Sequence, residues 1–72
     1  MIDDEMIEDR AKIYSSKTIP VHITKNDGEW LNGFIEEVSI DFLMLKEFKK
    51  GLMPVFFSEI RNIETYTREV EE

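Results

Sequence analysis

The chain of 72 residues has no cysteine and carries 16 acidic against 9 basic residues, a net charge of −7. A domain of this length buries only about 60% of its unfolded surface, and without disulfides or a Cys/His cluster for a structural metal the stabiliser left to it is self-association. The charge opposes phosphate binding, no apolar run approaches the ~20 residues of a membrane span, and the acidic start lacks a signal peptide's basic flank, so a soluble cytoplasmic protein with no membrane partner is expected.

The acidity is unevenly placed. Asp3, Asp4, Glu5, Glu8 and Asp9 open the chain with no base among them, and Glu64, Glu69, Glu71 and Glu72 close it against Arg68 alone. Between Arg10 and Ile63, eight basic residues meet seven acidic ones, so the body is close to neutral. Ends of this kind solubilise a protein, repel wrong partners, or meet a basic protein partner.

Ile7, Ala11 and Tyr14 recur at helical spacing, with Met6, Arg10 and Ile13 beside them and Glu5, Glu8, Asp9 and Lys12 opposite. The spacing predicts an amphipathic helix over about residues 4–15, with Asp3 as N-cap and Ile2 and Ile7 as a hydrophobic staple. Ser15 and Ser16 continue a helix poorly, and Pro20 requires extended chain before it. A strand from Ile19 to Thr24 follows, its apolar Ile19, Val21 and Ile23 alternating with Pro20, His22 and Thr24. The proline assigns this strand to an edge or an unpaired position.

Asn26-Asp27-Gly28 supplies the positive φ of a tight hairpin turn. In the returning strand Leu31, Gly33 and Ile35 face the core, and Trp30, Asn32 and Phe34 the other side. Gly33 there marks a bend or a place where another backbone comes close. Phe42–Leu45 is a continuous apolar run, expected to be buried on both faces, and Lys49-Lys50-Gly51 turns the chain. Pro54–Phe57 makes a fourth strand. Ser58-Glu59 is a short turn with Ile60 tucked inward, and a last strand, Arg61–Thr67, carries Ile63 and Thr65. No repeat, linker or low-complexity tract interrupts the chain. It reads as one domain over 1–72, with the helix at about 4–15, a barrel at about 18–67 and an acidic tail at 68–72.

One helix and five short strands in meander order, the second strand bent, describe a mainly β fold: an N-terminal helix followed by a strongly bent, five-stranded SH3-like barrel. Gly28, Leu31, Gly33, Ile35 and Val38, then the strand Phe42–Leu45, run without a gap, and Val55-Phe56-Phe57-Ser58-Glu59-Ile60 leads to Ile63. On these positions Val21–Ile63, about two thirds of the chain, resembles the Sm-like (LSm) proteins with their bipartite Sm1/Sm2 motif, including the archaeal Sm-like and bacterial host-factor branches.

The resemblance implies a non-enzymatic protein whose strand four pairs with strand five of the next subunit. That pairing closes homo-oligomeric rings of roughly five to eight that bind single-stranded, often uridine-rich RNA. The family holds bases with an Asp-x-x-x-Asn pair and a basic dipeptide. In the gapless register Ser39, Leu43 and Phe57-Ser58 occupy those positions, and Asp41 reaches the aspartate position only after a register shift. The RNA-binding set implied is Ser39, Asp41, Phe42, Phe57 and Ser58, with Lys46, Lys49 and Lys50 as the one concentrated basic group. Because the base-reading and cationic groups are missing, the rival expectation is an oligomeric protein-interaction module that has lost RNA binding.

Trp30 and Phe34 share one strand face, where they would stack unpaired bases, dock the helix, or meet another subunit. Phe56 and Phe57 point to opposite sides, so one of them leaves the interior as an oligomer anchor. The expected interface comprises Pro54, Val55, Phe56, Phe57, Ile63, Thr65 and Tyr66, on the two strands that would form the edges of an incompletely closed barrel. His22, the sole histidine, reads as a strand-surface residue. No serine or threonine has a base at a recognisable spacing, there is no phosphate loop, and Glu36 and Glu37 should point to opposite faces of a strand. Neither catalysis nor a metal or other cofactor is expected.

Overall fold

The computed structural model describes residues 4–67, with side chains from Met6 onward. Asp3, Ile2 and the acidic tail from Arg68 lie outside the described residues. Helix α1 (Asp4–Ser16) is followed by β1 (Val21–Lys25), β2 (Trp30–Val38), β3 (Phe42–Glu47), β4 (Gly51–Phe56), a short 3-10 turn (Phe57–Glu59) and β5 (Ile60–Thr65). The strands form one antiparallel sheet in the order β4-β3-β2-β1-β5. β4 and β5 pair only on their inner sides, so the sheet is not closed, contrary to the barrel expected from the sequence pattern. Mainly β architecture with an N-terminal helix stands; hydrogen-bonded closure does not.

α1 lays Ile7 and Ala11 on the core, each almost fully buried, with Tyr14 packed beside them. Burial of Ile7 stabilises the docked helix by roughly 1.5–3 kcal/mol. The Arg10 guanidinium reinforces it by donating to the Ile63 carbonyl at 3.1 Å. The helix ends in a Schellman motif: Thr18 N–H donates to Ser15 O at 3.2 Å and Ile19 N–H to Tyr14 O at 2.9 Å. Thr18 occupies the left-handed position of that motif, with φ 56°, where glycine is usual.

Pro20 precedes β1 rather than lying within it, and β1 is an interior strand between β2 and β5. The expected edge position fails because the proline carbonyl, not its missing N–H, is what the sheet uses: it accepts from Tyr66 N–H at 2.9 Å. The hairpin turn to β2 follows its sequence signal. Gly28 has φ 94° and donates to Lys25 O at 2.9 Å, while Asp27 Oδ1 accepts from Glu29 N–H at 2.9 Å.

β2 joins two halves of the sheet. Trp30–Gly33 pair with β1 and Gly33–Val38 with β3, so Gly33 is shared by both neighbours. A Cβ on Gly33 would overlap the Lys46 carbonyl oxygen and lie 2.8 Å from Glu47 Cα, so backbone crowding is the reason for glycine here. A second device follows two residues later. The register slips between Ile35 and Glu37, making Glu36 a β-bulge. The extra residue breaks the strict alternation, so Glu36 and Glu37 border one outer depression instead of pointing to opposite faces.

β3 buries Leu43 and Leu45 but leaves Phe42 and Met44 half-exposed, so it is covered on one face and not on both. Its apolar run is continuous because the outer face is also apolar, not because a second layer covers it. The core is completed by Val21, Ile23, Leu31, Ile35, Val55, Phe57, Ile60 and Ile63.

Candidate functional site

Two regions gather the chemistry-bearing residues. The first is a cluster of turns. Ser39 N–H donates to Phe42 O at 2.8 Å and closes the β2–β3 turn, and Phe57 N–H donates to Asp41 O at 2.9 Å, which places the 3-10 turn beside it. Asn26 ties in the β1–β2 hairpin, donating from its backbone to Glu59 O and from Nδ2 to Ser58 O, both at 2.8 Å. Ser39, Asp41, Phe42 and Ser58 are thereby brought into one neighbourhood. Phe57 is not available with them, because its ring is only 4% exposed and fills the core.

The lysines expected to complete this site are elsewhere. Lys49 and Lys50 follow the last residue of β3 whereas Asp41 precedes its first, and six residues of strand separate them by roughly 17–20 Å along the strand. Lys50 Nζ lies 3.0 Å from Glu29 Oε2, and Lys46 borders the depression that also holds Glu36 and Glu37. The basic group is thus split, with Lys50 paired to an acid.

The interface residues divide by the same alternation. Val55, Phe57 and Ile63 are buried in the chain's own core, which removes their side chains from a subunit contact. Phe56 is the outward phenylalanine, 45% exposed, with its ring centroid 5.5 Å from that of Phe42. Leu52 and Pro54 lie exposed along the same face of β4, and Ile40 projects from the adjoining turn. Pro54 has no N–H to give, which an edge strand tolerates. On β5 and just beyond it, Thr65 is exposed and Tyr66 half-buried.

The second region is the outer face at the other end of β3. Trp30, 60% exposed, has its ring 5.6 Å from His22, and His22 Nδ1–H donates to Asn32 Oδ1 at 2.6 Å. Phe48 contacts Phe34 at 5.7 Å and Tyr66 at 5.6 Å, both with rings edge-on. α1 docks on the opposite face of the sheet, so Trp30 does not serve it; only its C-terminal end, through Ser15 and the following Thr18, reaches the surroundings of Phe34. Trp30, Phe48 and Tyr66 surround a depression of about 430 Å³ with Asn32, Glu47 and Lys49.

Glu47 forms part of that depression and is the one strongly buried acid among the described residues. Its Oε1 accepts from the N–H groups of Lys49 and Lys50, each at 2.8 Å, and its Oε2 from Asn32 N–H at 3.2 Å. Burial pushes the carboxyl up, but the hydrogen bonds from Lys50, Lys49 and Asn32, with the Lys50 ammonium, outweigh it and hold Glu47 below its ordinary range. The charge is structural: it secures the turn into β4, where Gly51 adopts φ 83°.

Phe48 and Glu47 are the functional candidates that the sequence pattern did not disclose. A single phenylalanine beside Lys49-Lys50 belongs to no periodic run. The signal it does carry is an aromatic residue in an otherwise polar turn. Among the described residues no group of three His, Cys, Asp or Glu is placed to hold a metal ion, and no helix is long and apolar enough to cross a membrane. No protein-family model matches the chain, and no curated protein matches it.

Proposed function

We propose that this chain is a non-enzymatic, SH3-like subunit of Sm-like type that self-associates through its β4 and β5 edges and acts as a protein-interaction module. The observation that carries the reading is the pairing of two open sheet edges with an uncovered apolar face on β3–β4, formed by Phe42, Phe56, Leu52 and Met44. An open edge leaves N–H and C=O groups unpaired, and a small domain with marginal burial gains most by covering such a face. Because edge four would meet edge five, the contact is heterologous and can close into a ring, for which the resemblance suggests five to eight copies.

The natural absence of cysteine gives a clean test. A variant carrying both Pro54→Cys and Thr65→Cys should give a ladder of oxidised oligomers, while either single variant stays monomeric under denaturation. Dimers from a single variant would indicate a two-fold contact and contradict the ring. A second reading, binding of single-stranded RNA, is supported by the meeting of Ser39, Asp41 and Ser58 at one end of the sheet. It predicts binding of short uridine oligomers that weakens steeply with salt. Binding that is absent at low salt removes it.

A further inference from the structure

The depression among Trp30, Phe48 and Tyr66 has the composition of a cation site. Three aromatic residues line it together with a fixed carboxylate, Glu47, whose three backbone donors hold it in place. An Arg or Lys side chain seated within about 6 Å of such rings is attracted by their quadrupoles, most strongly by tryptophan. Phe48 and Trp30 are both more than half exposed, so the rings are open to a partner without rearrangement of the core.

We propose that this outer aromatic face binds a basic peptide segment of a partner protein, an Arg or Lys side chain entering among Trp30, Phe48 and Tyr66. The proposal deepens the protein-interaction reading and rests on it. Charge complementarity selects this occupant over nucleic acid. The chain carries −7 overall, and Glu64 borders the adjoining depression beside Tyr66. Phosphates would meet that field as a repulsion, whereas a cationic segment is steered by it. Lys49 is the one cation bordering the depression, and it opposes the proposed ligand.

Trp30 is the only tryptophan, so its fluorescence reports directly on the site. Titration with a short Gly-Arg repeat peptide should change Trp30 emission saturably, with affinity falling as salt rises. Phe48→Ala should weaken binding by about fivefold to tenfold through loss of one cation–π partner. Lys49→Glu should tighten it. Failure of the peptide to change emission, equal affinity in wild type and Phe48→Ala, or weaker binding by Lys49→Glu would each overturn the proposal. So would saturable quenching by an oligouridine in place of the peptide. Sedimentation of the same samples separates this inference from assembly: a peptide-silent ring overturns the site alone, and a peptide-binding monomer overturns the ring alone.

Discussion

Gly33 shows how a single missing Cβ sets the path of the sheet. Gly33→Ala must push a methyl group into the Lys46 carbonyl, so it should lower stability by about 3 kcal/mol, near the top of the usual overpacking cost, and Gly33→Val by more. Urea denaturation of both variants checks this, and an unchanged midpoint would remove the crowding. Thr18 is the opposite case. A β-branched residue is held at φ 56°, so Thr18→Gly should raise stability by about 0.5–1 kcal/mol, observable as an upward shift in Tm. Glu47 links a residue to pH. Its carboxyl is depressed in the folded state, so its stabilisation is complete above the unfolded value and is lost as pH falls through the folded one. Glu47→Gln should therefore flatten the acid limb of the stability profile while costing about 1–3 kcal/mol at neutral pH. Gly28 and Gly33 were legible in the sequence because turn chemistry and spacing mark them. Thr18 and Glu47 were not, since one contradicts its propensity and the other is defined by backbone donors that no side-chain pattern reveals.

The helix and five strands illustrate what periodicity can and cannot decide. Alternation placed Ile35 inside and Trp30 outside, and the structure leaves Ile35 6% and Trp30 60% exposed. Ile35→Ala should thus cost about 2–5 kcal/mol, whereas Trp30→Ala should leave the midpoint nearly unchanged. A larger loss from Trp30→Ala would reverse the two faces. Periodicity erred where a local insertion or a second apolar face intervened. The Glu36 bulge re-aims its neighbour, and the half-exposed Phe42 and Met44 make β3 resemble a strand buried on both sides. Pro20 misled for a related reason: one residue separates a proline inside a strand from one that introduces it. Of the interface set, Phe56 could be distinguished from Phe57 only once the direction of the strand was known.

At the scale of the whole molecule, a marginal core, two unpaired edges and an apolar outer face all favour association. The β4 edge carries Leu52, Pro54 and Phe56 toward solvent, while β5 offers Arg61, Glu64 and Thr65. The sequence foresaw these edges through strand order, but it could not show that the lysines and the Ser39–Ser58 neighbourhood fall at opposite ends of β3. That separation is a property of folded distance, and it is the reason a protein-interaction module is proposed ahead of an RNA pocket. The measurement that tests this most directly is sedimentation velocity across a micromolar concentration series for the wild type and Phe56→Asp. A discrete ring-sized species for the wild type, with folded monomers for Phe56→Asp, is the predicted result. A monodisperse, well-folded wild-type monomer throughout would contradict the account.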